Sequence, residues 1–161
     1  MNIYMVDTNP KVAAQCVPDD VWERRLFDAV ELVSEGGAHW EGEESMFMCH
    51  HMNHAWVEWV RKDRKNWVWS MRYLTALIRE VKCRGYGVVD EVVTFSDYIM
   101  SEYDGGTIRV TIPPRCVPAE FKGEKNSTGN AVLAYQRYVG KETRLHKMGG
   151  RKPDWLSATK V

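Results

Sequence analysis

The chain has 161 residues, 44% of them hydrophobic, enough for one buried core and too few for two, so a single domain spanning 1–161 is expected. Lysine plus arginine equals aspartate plus glutamate at 22 each, which excludes whole-molecule electrostatic attraction to a polyanion; any nucleic-acid contact has to come from a local patch. Cys16, Cys49, Cys83 and Cys116 are dispersed without a C-x-x-C pair, which favours reduced thiols, and no apolar run approaches the roughly 20 residues of a membrane span, which predicts a soluble protein.

In chain order, residues 1–6 alternate like a short strand or an extended lead-in, and Asp7-Thr8-Asn9-Pro10 starts a helix to about Cys16. Pro18, Asp19 and Asp20 open a second helix, which Gly36-Gly37 is expected to stop near Ser34, with Val21, Leu26, Phe27, Val30 and Val33 on its apolar face. Glu23, beside Arg24 and Arg25, is either a general base or one half of a surface ion pair. Residues 39–52 are irregular. Cys49, His50, His51 and the nearby His54 are chemically fit for zinc, but their spacing matches no zinc pattern and no second ligand pair follows, so no metal is expected.

Asn53 reads as the N-cap of a run that holds four of the seven tryptophans. Trp56, Val60, Trp67, Met71 and Leu74 fall on one stripe, with Val57 and Trp59 to one side. Arg61, Lys62, Arg64 and Lys65 lie between them, and the helix continues from Asp63 to about Cys83 before Gly85. Basic residues interleaved with aromatics suit phosphate contact and base stacking; the same pattern also describes a buried amphipathic helix with a wet basic face. A further helix is expected over 88–103, a short strand over 107–112 ended by Pro113-Pro114, a loop through Arg115 and Lys122, and a last helix from Ala131 to about Lys147 carrying Tyr135, Arg137, Tyr138, Lys141 and Arg144. The expected fold is mainly α, a compact helical bundle with short β segments near the N-terminus and at 107–112.

Several of these stretches resemble one family. Asn53-His54, Trp59-x-Arg61 and Asn66-Trp67-x-Trp69 are similar to motifs of the phage amino acid:DNA transferases of thymidine hypermodification. So are Met1-Asn2-Ile3-Tyr4 with Asp7, Pro10 and Ala13-Ala14-Gln15, then Arg115-Cys116-Val117-Pro118-Ala119-Glu120-Phe121-Lys122, Ala134-Tyr135-Gln136-Arg137-Tyr138 with Gly140-Lys141-Glu142, and Pro153-Asp154-Trp155. Where the family carries His and Lys after the first helix, this chain has Val17 to Arg25, so that only Asp19 and a basic residue near Arg24 carry over.

The resemblance implies transfer of an amino acid, commonly glycine, onto pyrophosphate-activated hydroxymethyluracil in double-stranded DNA, without a cofactor, by a monomer in the host cytoplasm during infection. Such chemistry needs an extruded base between flat faces, for which Trp56, Trp59, Trp67 and Tyr135 are available, with Tyr138 beside them. The leaving pyrophosphate needs cations, and Arg61, Arg115, Lys122, Arg137 and Lys141 are the candidates. His54 has the intrinsic pKa of a base, with Asp19 or Glu23 to orient or replace it, and Asn53 and Asn66 can read a uracil edge or hold the amino acid's carboxylate. Two other readings stand beside this one. A pyrimidine-dimer glycosylase would use Glu23, Arg24 and Arg25 with an N-terminal amine, and a non-catalytic DNA-binding protein would use the tryptophans only as core.

Overall fold

The computed structural model describes residues 1–42, 44–101, 108–123 and 127–141. Six α-helices follow in order: α1 Pro10–Gln15, α2 Trp22–Glu41, α3 Ala55–Lys62, α4 Arg64–Cys83, α5 Asp90–Ser101 and α6 Thr128–Lys141, with a 3-10 turn at Ala119–Phe121 before the last. The mainly helical class expected from the sequence is the one observed. None of these helices is long and apolar enough to cross a membrane.

α4 is the axis of the bundle, packed against α1, α2, α3 and α5. Its sequence has no Gly or Pro, and Asp63 caps it by accepting from the Lys65 amide at 2.9 Å. Trp67, Trp69, Met71, Tyr73, Leu74, Leu77, Ile78 and Val81 are all buried, so that the helix is apolar around most of its circumference and is covered on several sides. Arg84 closes its C-terminal end. The guanidinium donates to the carbonyls of Gln15 (2.9 Å) and Val17 (2.7 Å), to Asp19 (2.8 Å) and to Glu80 (2.8 Å), with the side chain only 4% exposed. Such a buried cation is tolerated because every face of it meets an acceptor.

Four expectations are corrected here. α2 does not stop before Gly36-Gly37 but runs through them to Glu41, where Gly42 takes the left-handed cap (φ 71°). Gly36 is the point of closest approach to α4: a methyl placed on it would lie 2.1 Å from Cδ1 of Trp67, whose indole N–H donates to the Val33 carbonyl at 2.9 Å. Glycine there is a packing requirement. Second, the tryptophan run is two helices, because Asp63 is extended (φ −151°, ψ 128°) and ends α3 while capping α4.

Third, the cap of α3 is His54, whose Nδ1 accepts from the Trp56 amide at 3.2 Å, and not Asn53, which is exposed. Fourth, no strand forms over 2–6 or 108–112 among the described residues. Alternation there reflects burial without a neighbouring strand. Residues 3–6 fold on themselves through Met5 N to Ile3 O and Val6 N to Tyr4 O, and the Val6 carbonyl is met by the Gln136 side chain at 2.8 Å. Expectations falling on Thr107 and on 142–161, among them Arg144 and Pro153-Asp154-Trp155, lie outside the described residues.

Adding a methyl to the two glycines of α2 should therefore give opposite results. Gly36→Ala is expected to destabilise by about 2 kcal/mol or more through overpacking against Trp67. Gly37→Ala meets only an ordinary 3.7 Å contact and should be neutral or stabilise by up to about 1 kcal/mol. Urea unfolding of both variants checks this.

Candidate functional site

Segments distant in sequence are tied together around the buried N-terminal stretch. Asn2 donates its amide to Asp28 (2.9 Å) and its side chain to the Cys116 carbonyl (3.2 Å), 114 positions away. Arg25, one turn before Asp28 on α2, donates to Asp28 at 2.6 Å and to the Asn2 carbonyl, and its guanidinium lies 4.8 Å from the Tyr4 ring centre. The Tyr135 hydroxyl of α6 donates to the Pro114 carbonyl (3.0 Å) and accepts from the Cys116 amide (3.1 Å).

Asn66, fully buried at the start of α4, donates to the Trp59 carbonyl (2.7 Å) and the Thr111 hydroxyl (2.7 Å) and accepts from the Thr111 amide (2.9 Å). The Trp59 indole adds a bond to the Thr111 carbonyl at 3.2 Å. These bonds fix the 108–117 segment, which has no ladder of its own, so that Arg115 and Cys116 reach Asn2. Buried polar atoms without a hydrogen-bond partner among the described residues include Asn2 Oδ1, Arg25 Nε and Glu31 Oε2, all on this segment or on the face of α2 that carries Asp28.

His54 is partly buried, and burial lowers its pKa below the ordinary 6.5, with the Met1 amino group and His51 adding to the effect and Asp28 opposing it. Its imidazole is neutral at pH 7 and can take a proton. Of these effects that of Asp28 is the smallest; neither Asp19, held by Arg84, nor Glu23, exposed in the first turn of α2, is the orienting partner expected for His54. Thiolate chemistry is disfavoured: burial raises the thiols of Cys49 and Cys116 and pushes Cys16 up to about 12. Burial also raises the Tyr135 hydroxyl, which serves here as a fixed hydrogen-bonding group.

The candidate cations divide. Arg115 donates to the carbonyls of Lys122 (2.5 Å) and Gly123 (3.1 Å), a methyl on Gly123 would lie 3.8 Å from the Arg137 guanidinium, and the Lys141 ammonium sits 5.4 Å from the Phe121 ring centre. Arg115, Lys122, Arg137 and Lys141 thus form one basic lip over Cys116 and Tyr135. Arg61 is not part of it: both its Nε (3.1 Å) and NH2 donate to Glu35 of α2. His54 caps one end of α3 and Arg61 lies in its last turn, seven residues on and about 10 Å along the axis, so the structure separates this expected pair.

The expected aromatic plates are interior. Trp56, Trp67 and Tyr135 are 2% exposed or less and Trp59 is 4%, with Trp56 and Trp59 edge to face at 5.1 Å and Trp56 tilted against Tyr135 at 6.2 Å. Tyr138 is half-buried, 6.1 Å from the Tyr4 ring. Stacking a base on the indoles would require the core to open. Asn66 is likewise a brace and not a reader of substrate, while Asn53 stands exposed beside His54. Asp28, Asn2 and Arg25 were missed because the sequence shows them as an unremarkable acid, a second residue and a flank of Arg24. The recoverable signal was that Arg25 and Asp28 sit i, i+3 on the apolar side of α2, where a charge has to be paired.

Among the described residues no three His, Cys, Asp or Glu side chains come together as metal ligands would. No protein-family model, curated protein or solved structure matches this chain.

Two measurements follow from this geometry. Asn66→Ala leaves the Trp59 carbonyl and Thr111 groups unpaired and should cost about 1–3 kcal/mol in urea unfolding. Because the folded-state pKa of His54 lies below its unfolded value, protonation favours unfolding. Stability should fall as pH drops below the unfolded pKa near 6.5 and level off once pH passes the lower folded value. His54→Asn, which can still cap α3, should lack that component when melting is compared across pH 7.5 to 5.

Proposed function

We propose that this protein modifies bases in DNA, transferring an amino acid, glycine in the first instance, onto pyrophosphate-activated hydroxymethyluracil. The observation that carries the reading is convergence. Stretches 1–4, 53–69, 115–122 and 134–138, which resemble separate motifs of one transferase family, are drawn together by the Asn2–Cys116 and Cys116–Tyr135 hydrogen bonds and, through the segment just before Arg115, by Trp59–Thr111, beside a neutral imidazole, a buried carboxylate and a basic lip.

Roles follow from position. Arg115, Lys122, Arg137 and Lys141 hold the DNA backbone and the diphosphate, where clustered cations stabilise charge that grows on the leaving group. His54 takes the proton of the incoming ammonium at Nδ1, which gives up the Trp56 amide as it does so. The amine lone pair attacks the exocyclic methylene, the C–N bond forms as the C–O bond breaks, and pyrophosphate departs with that electron pair. Asn53, exposed beside His54, orients the uracil edge or the amino acid's carboxylate.

One observation favours a second reading. The tryptophans expected as stacking plates are core, as they would be in a non-catalytic DNA-binding protein.

Incubating the protein with duplex DNA bearing pyrophosphorylated hydroxymethyluracil and glycine, then digesting to nucleosides for mass spectrometry, tests the proposal. A glycine adduct with released pyrophosphate is expected, and His54→Asn should lower the rate about a hundredfold or more while melting at pH 7.5 stays near wild type. Folded protein that binds DNA and yields no adduct would establish the second reading instead. Replacing Lys122 and Arg137 by Glu should weaken DNA binding and reduce the slope of log K against log salt by about one per cation lost.

A further inference from the structure

On the α1 and α5 side of α4 lies a cleft of about 800 Å³ that includes none of the residues given a role in the transfer. Its walls come from α1 and the segment before it, from α4, and from Met100 and Ile108. Lys11, Arg72 and Arg79 line it, and Arg72 and Arg79 are seven residues apart on α4, which spaces them about 10 Å along the axis. The one acid among the described lining residues, Glu80, is engaged by the Nε of Arg84 at 2.8 Å. Among the described residues no carboxylate pairs with Lys11 or Arg79. Thr8, Asn9 and Gln15 add hydroxyl and amide groups, while Ala76, Met100 and Ile108 give an apolar wall.

We infer that this cleft binds a phosphorylated nucleoside. The volume falls within the roughly 300–1,000 Å³ of small-molecule sites. Lys11 on the α1 wall and Arg79 on the α4 wall suit linked anionic groups over one inorganic anion, since a single phosphate can bridge only neighbouring donors. The apolar wall offers the surface that a base or sugar buries. A free nucleotide and a nucleotide unit of a DNA strand present this same chemistry. Lys11, Arg72 and Arg79 are distinct from the lip at Arg115, Lys122, Arg137 and Lys141, so the cleft stands whether or not the protein transfers an amino acid.

Isothermal titration calorimetry on the full chain, with thymidine triphosphate, a single-stranded oligonucleotide of about 12 nucleotides and sodium sulfate as separate titrants, tests it. Saturable binding of the nucleotide assigns the free ligand, and binding of the oligonucleotide alone assigns the strand. In either case Arg79→Glu and Lys11→Glu should weaken binding about tenfold or more, and Ala76→Trp, which fills the cleft without changing charge, should do the same. Lys82→Glu, exposed on the same helix outside the lining, should leave it within about twofold. Circular dichroism melting confirms that each variant is folded. The inference is overturned if neither nucleotide nor oligonucleotide saturates, if sulfate binds as tightly as they do, or if Lys82→Glu weakens binding as much as Arg79→Glu.

Discussion

The structure depends on indole N–H groups that reach across it to distant backbone carbonyls. Trp69 donates to Thr8, Trp59 to Thr111, Trp67 to Val33 and Trp40 to Val60. A buried carbonyl left without a donor costs on the order of 1–3 kcal/mol, and a segment that is neither helix nor strand has no internal means of satisfying it. The N-terminal stretch and the 108–117 segment are such segments. Each is held by side chains, from Trp59, Asn66, Trp69, Tyr135 and Gln136, where a sheet would have used its ladder.

That arrangement sorts the charges. The cations nearest the core are each matched: Arg84 to Asp19, Glu80 and two carbonyls, Arg25 to Asp28, Arg61 to Glu35. Their interactions hold helices together and leave little charge for a ligand. The loop 113–122 and α6, pinned by Tyr135, carry cations that face outward, so a chain with no net charge still presents a basic edge. Local geometry, and not composition, decides where a polyanion would be drawn.

His54 combines two duties that constrain each other. Its Nδ1 accepts the Trp56 amide and so starts α3, which fixes the ring and favours the tautomer with hydrogen on Nε2. Partial burial keeps it neutral. Protonation at Nδ1, the only ring nitrogen with a lone pair in that tautomer, would cost both the cap and the desolvation of a cation, so the fold holds the ring neutral and proton uptake has to release the Trp56 amide.

The sequence by itself determined the helical class, the approximate spans of α1, α4 and α5, the break at Gly85 and the inward face of the tryptophan run, because each follows from periodicity and capping within a few turns. It also identified His54 and four of the lip cations as residues worth placing. Only the tertiary structure decided that Gly36 packs against Trp67, that α3 and α4 part at Asp63, and that Asp19 belongs to Arg84. Asp28, unmarked in sequence, proved to be the buried carboxylate that joins Arg25 to the Asn2 amide. The physical reason is common to all of these. Whether a glycine stops a helix, an indole stacks on a base or a carboxylate serves an imidazole depends on which side chain arrives from a distant part of the chain, and local pattern carries no record of that partner.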